Sequence, residues 1–139
     1  MDSNKALVLQ WLDLWNQHTL DQLAALVAPN YCHHSSSGDQ LDFAGFRQGF
    51  EAVLRAYPDM SYSIVHLIAE DDLVAVYLHA TGTQQGAFFG VAPSGKRSSF
   101  RGIYHCRVRG SQIIEDWDIF DLLTALFRLG ATVQTGEPK

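Results

Sequence analysis

Up to Pro58 the apolar residues of this chain recur at helical spacing, and beyond it they alternate. Leu7, Leu12, Leu14 and Trp15 mark a first helix that Ser3 or Asn4 can cap and that runs to Asn16. Thr19 caps a second helix, with Leu20, Leu23, Ala24 and Val27 as its apolar stripe and Pro29 as its stop. Residues 30–40 read as a short extended piece followed by a Ser/Gly loop. Asp42 then caps a third helix that gathers Phe43, Phe46, Phe50, Val53, Leu54 and Tyr57 on one face and ends at Pro58.

Residues 60–69 and 73–81, rich in Ile, Val, Tyr and Leu, predict two strands joined at Glu70-Asp71-Asp72. Three glycines and a proline make 84–95 an irregular loop, and 97–109 and 112–120 predict two further strands around Arg109-Gly110-Ser111. Residues 121–129 close the chain as a helix stopped by Gly130, with a loose tail after it. Three helices, a four-stranded antiparallel meander and a short helix make an α+β chain with helices packed on one face of a curved sheet. Neither a repeat nor a composition break divides it, so residues 1–139 are expected to form a single domain.

Composition narrows the function. At 47% hydrophobic, the 139-residue chain can bury a core without disulfides. A net charge of −5 argues against a nucleic-acid surface. No apolar run reaches the roughly 18 residues of a membrane span, and the N-terminus does not read as a signal peptide. Cys32 and Cys106 lack CxxC spacing and read as free thiols in a reducing, cytoplasmic setting.

Several segments are similar to one family. Pro58-Asp59 opens the first long strand, Gly82-Thr83 and Gly86 follow the second, and Gly90 with Pro93-Ser94-Gly95 occupy the loop. Glu115-x-Trp117-x-x-x-Asp121 and Leu129-Gly130 complete a pattern that resembles the SnoaL-like polyketide cyclases of the NTF2-like superfamily. The chain departs from that pattern at Gln84, where the family often has His, and at Ser94, where it commonly has Thr. It departs again at Ser111-Gln112, where a Lys is usual. The resemblance implies an NTF2-like cone, with helices packed on a curved antiparallel sheet that encloses a pocket. It also implies an intramolecular aldol ring closure on a hydrophobic polyketide ester, with no metal or nucleotide cofactor.

That chemistry needs a base for an acidic C–H and donors for the enolate, and a carboxylate in an apolar pocket suits the first role. Asp121 is the candidate base, with the competing role of N-cap to the closing helix. His105, mid-strand in "GIYHCRV", points with Ile103 and Arg107, and the resemblance pairs a histidine near this position with the aspartate. His33 and His34 point to opposite sides of an extended segment, so at most one faces a cavity; His33 is the candidate. Trp15, Phe50, Tyr62, Phe89 and Trp117 are the candidate apolar walls, although core packing uses the same residue types. Glu115, Asp116 and Asp118 read as mostly solvent-facing, with Asp116 on the solvent side. His66, His79 and His105 have no metal-ligand spacing, Ser35-Ser36-Ser37 forms no nucleophile elbow, and the glycines of 82–95 form no phosphate loop. The outward sheet face keeps enough Val, Leu, Tyr and Ile to predict a homodimer or homotetramer. The same pocket also suits an isomerase, a dehydratase, an epoxide hydrolase or a non-catalytic binding or dimerisation module.

Overall fold

A computed structural model describes residues 2–136. The elements are α1 Ser3–Gln17, α2 Leu20–Leu23 with a 3-10 turn Ala24–Leu26, β1 Val27–His34, β2 Gln40–Leu41 and α3 Phe43–Ala56. β3 Ser61–Glu70, β4 Leu73–Thr83, β5 Arg97–Arg109, β6 Gln112–Phe120 and α4 Leu122–Arg128 follow. One six-stranded sheet has the order β2-β1-β6-β5-β4-β3. Every pairing in it is antiparallel except β1 with β6, which is parallel. The class is α+β, as expected, but the sheet is mixed and carries two more strands than the meander read from the sequence.

The difference begins at residue 27. Val27 belongs to β1, and the expected second helix ends by Leu26. Pro29 therefore stops no helix; it is an exposed strand residue between Val27 and Cys32, where the β1–β6 register shifts. A proline fits such an irregularity because no ladder hydrogen bond is asked of its nitrogen.

Local chemistry explains the other boundaries. Asp2, rather than Ser3 or Asn4, caps α1 by accepting the Asn4 N–H at 2.7 Å. Asp42 caps α3 by accepting the Gly45 N–H at 2.9 Å. Gly110 and Ser111 both have positive φ, 56° and 60°, so β5 and β6 join through a two-residue turn with the twist a hairpin needs.

The helices cover the inner face of the sheet, where Trp11, Trp15, Phe46 and Phe50 meet Val74, Val76, Leu78 and Tyr104. Asn16, at the end of α1, clamps the start of β3: its Oδ1 accepts the Tyr62 N–H at 2.7 Å and its Nδ2 donates to the Tyr62 carbonyl at 2.9 Å. Across the sheet Gly102 faces Phe120, whose ring occupies the space of the missing side chain. Among the described residues no helix is long and apolar enough to cross a membrane.

A methyl group at position 102 would meet Phe120 Cδ1 at 2.1 Å. Gly102→Ala is therefore expected to cost about 1–3 kcal/mol through overpacking. Thermal melting checks this, and adding Phe120→Leu to the variant should restore part of the loss.

Candidate active site

The long β6 strand sorts its carboxylates by parity. Cross-strand partners share a face, so Asp116 opposite Cys106, Asp118 opposite Tyr104 and Phe120 opposite Gly102 all point inward. Trp117 opposite His105 and Ile119 opposite Ile103 point outward. β1 lies alongside and brings His33 next to Asp116.

Asp116 is fully buried, which corrects its expected solvent-facing position. Its carboxylate accepts hydrogen bonds from the Tyr31 hydroxyl (2.9 and 2.8 Å to the two oxygens), the Tyr104 hydroxyl (2.7 Å) and His33 Nδ1 (2.6 Å). Burial and the neighbouring Asp116 carboxylate push both tyrosine pKa values up, so the phenols stay protonated donors. With Nδ1–H committed to Asp116, His33 presents Nε2 toward Asp118, whose Oδ2 lies 3.6 Å away, beyond hydrogen-bond length. Ser36 donates to Asp118 Oδ1 at 3.1 Å.

His33, Asp118 and Ser36 form the polar end of a cavity of about 320 Å³ under α3, whose other walls include Trp15, Phe46, Phe50, Phe100 and Phe120. Burial raises the Asp118 pKa, the charge of His33 and the Ser36 hydrogen bond oppose the rise, and the like charge of Asp116 adds to it; the net shift is upward. Burial works to lower the His33 pKa, but the hydrogen bond and charge of Asp116, joined by the charge of Asp118, outweigh it and leave it raised. The site thus holds a carboxyl group easier to protonate than usual beside an imidazole harder to deprotonate than usual. Such a pair can take a proton and return it.

A family profile for SnoaL-like polyketide cyclases matches residues 5–129. The chain belongs to that family. AclR of Streptomyces galilaeus, described as a candidate hydroxylase, is similar at 31% identity, with 91% of this chain and 95% of that one covered and a TM-score of 0.85. IdmH of Streptomyces antibioticus, described as a candidate polyketide cyclase, is similar at 27% identity over 92% and 99% of the two chains, with a TM-score of 0.84. A SnoaL-like protein from Jannaschia sp. CCS1, at 21% identity, 94% of both chains and a TM-score of 0.84, shares the fold. No curated protein matches the sequence. The neighbours place this SnoaL-like chain in the NTF2-like fold.

Of the residues singled out in the sequence, Trp15, His33, Phe50, Tyr62 and Phe89 line the cavity of this SnoaL-like protein. Phe89 stands at its mouth, exposed and at φ 46°, a conformation unusual for an aromatic residue. Trp117 is absent from the cavity wall. It lies on the outer face between His34 and His105, with ring centroids 4.8 and 4.5 Å apart and planes within 4° and 7° of parallel. His105 is thus stacked outside the cavity, and burial lowers its pKa. Asp121 is the N-cap of α4, accepting the Thr124 N–H at 3.0 Å and its hydroxyl at 2.5 Å, bonds that hold its pKa down. It faces a separate cleft with Arg101 and Arg128. Asp121 and His105 therefore share no cavity. Asp118 and its support, Asp116, are the site residues that the sequence reading passed over. Their signal was the inward alternation Asp116, Asp118, Phe120 against outward Trp117, which needed the parity of β5 to be read.

Gln84 and Ser94, two of the positions that depart from the family pattern, are bonded to each other. Gln84 is fully buried; its Oε1 accepts the Ser94 hydroxyl at 2.6 Å and its Nε2 donates to the Gly86 and Val91 carbonyls at 3.0 Å. Together they hold the loop that carries Phe88 and Phe89. Both cysteines are free thiols. Among the described residues no group of three His, Cys, Asp or Glu side chains is placed to hold a metal ion.

Asp116→Asn should cost on the order of 3 kcal/mol in denaturant unfolding, because it breaks a buried charged network on one side only. Since the folded His33 pKa is raised, its stabilising contribution is complete below the unfolded pKa and fades as pH rises through the folded one. In Asp116→Asn the His33 titration midpoint, followed by NMR, should fall and that pH-dependent loss should shrink.

Proposed function

We propose that this protein is a cofactor-free acid/base enzyme that closes a ring in a hydrophobic polyketide ester by an intramolecular aldol reaction. The observation that carries the reading is the Asp118–His33 pair, held by Asp116 at the one polar end of an apolar cavity. Asp118, as carboxylate, takes a proton from a carbon flanked by carbonyls, and the C–H electron pair moves into the adjoining carbonyl to give an enolate. The enolate carbon attacks a second carbonyl of the same molecule, which forms the C–C bond and an alkoxide. His33, as imidazolium, gives its Nε2 proton to that alkoxide. The proton on Asp118 then passes to His33, and both groups return to their starting states. Membership in the SnoaL-like family and the likeness to IdmH support this choice over isomerisation, dehydration or epoxide opening in the same cavity.

The proposal assigns Asp121 to structure and Asp118 to chemistry. With a polyketide methyl ester bearing an activated methylene, Asp118→Asn should lower kcat about 1,000-fold, whereas Asp121→Asn, which preserves the cap, should stay within about twofold. The folded Asp118 pKa is raised, so the stability tied to its protonated form is present at low pH and lost as pH rises through that pKa. Asp118→Asn should accordingly melt no lower than wild type at pH 7. Near-normal turnover in Asp118→Asn would overturn the assignment.

The outward sheet face carries Tyr77, Ile103 and Ile119 as cross-strand neighbours, the two isoleucines 50% and 70% exposed. A second copy of the same chain buries such a row most simply, by a two-fold axis that sets the row against itself. Sedimentation should show a dimer or tetramer, and Ile119→Asp should shift it toward monomer. A wild-type species of 15.5 kDa alone at micromolar concentration contradicts this.

A further inference from the structure

Tyr62 enters the cavity from β3, across from the strands that supply His33 and Asp118. Asn16 clamps its main chain on both the N–H and the carbonyl. Its ring packs edge-on against Trp15, with centroids 5.2 Å apart, and touches Phe50 and Phe120 at 6.2 and 6.3 Å. The hydroxyl, by contrast, has no hydrogen-bond partner among the described residues, although the phenols of Tyr31 and Tyr104 are both committed to Asp116. Burial and the charge of Asp118 hold its pKa above the ordinary tyrosine value, so it is a donor throughout the working pH range. A ring packed among aromatics that carries an unused O–H into the apolar cavity that Asp118 also lines is a preorganised donor awaiting an acceptor.

We infer that Tyr62 is a catalytic residue whose hydroxyl donates a hydrogen bond to the enolate oxygen formed when Asp118 takes its proton. The inference rests on the acid/base reading above and extends it. Asp118 and His33 move protons, while Tyr62 holds the charge that develops on oxygen and transfers no proton itself. It also names the substrate feature that the site recognises: a carbonyl group bonded to the carbon whose proton faces Asp118, with its oxygen directed toward β3. Once Asp118 is protonated its repulsion on a neighbouring oxyanion is gone, so the Tyr62 bond is strongest at the moment the enolate exists.

A phenolate is a stable mimic of an enolate, and an asparagine at 118 stands in for the protonated carboxyl. In the Asp118→Asn protein, 2-naphthol, at a pH where it is free in solution as the naphtholate, and naphthalene are titrated by ligand fluorescence, with and without Tyr62→Phe. Tyr62→Phe should weaken 2-naphthol binding at least about tenfold, as loss of a charge-assisted hydrogen bond does, and leave naphthalene within about twofold. In the otherwise wild-type protein the same substitution should lower kcat for the polyketide ester about 100-fold with little change in KM. If Tyr62→Phe weakens neither probe, or both equally, the donor role is wrong and Tyr62 is only a wall. If 2-naphthol binds Asp118→Asn no better than wild type but still depends on Tyr62, the donor stands and the Asp118 assignment falls. If neither probe binds, the cavity reading and the donor role fall together.

Discussion

A buried carboxylate without partners is among the costliest groups a small protein can carry, and Asp116 is fully buried. Its three donors come from residues 31, 33 and 104, on two strands that flank β6. Satisfying that one group therefore binds β1, β6 and β5 at a single point. The parallel pairing of β1 with β6 runs through the same place, with His33 directly opposite Asp116. If β1 slipped by one residue, His33 would face outward and the carboxylate would lose a charged partner, so the network and the strand register specify each other.

From that anchor the chemistry follows with little freedom. Asp116 uses His33 Nδ1, which leaves Nε2 for the cavity and for Asp118. The tyrosines that neutral burial keeps protonated serve Asp116 and are spent there, whereas the Tyr62 hydroxyl is left open. Asp118 sits less comfortably, since burial raises its pKa and disfavours its charge. A base that the fold destabilises is a base eager for a proton, and the stable Asp116 network is what allows the fold to tolerate it.

Parity decides the roles of the remaining acidic and aromatic residues. Trp117 and His105 belong to the outer face, where they stack with His34, and Asp121 lies past the end of β6, where the chain turns into α4. Each has a structural task that its residue type performs well: ring stacking on an exposed sheet face, and acceptance of helix N–H groups.

Read alone, the sequence determined the α+β class, the Asp42 cap, all four strands from β3 to β6 and the hairpin turns, because these depend on local periodicity and turn chemistry; for Asp121 it left base and cap equally open. It also supplied Trp15 and Phe50 as cavity residues, since the apolar stripe of an amphipathic helix turns toward the core. The extended run from residue 30 was legible, but tertiary structure alone decided that the strand begins at Val27 and pairs with β6, because that ladder partner is about 80 residues away and Pro29 sits in a register shift visible only in the pairing. It also decided which of Asp116, Trp117, Asp118 and Asp121 faces the cavity. Alternation says that neighbours oppose one another but not which side is inside; that was set by Tyr104, Cys106 and Gly102 on the adjoining strand, and by the need of a buried carboxylate for donors distant in the chain.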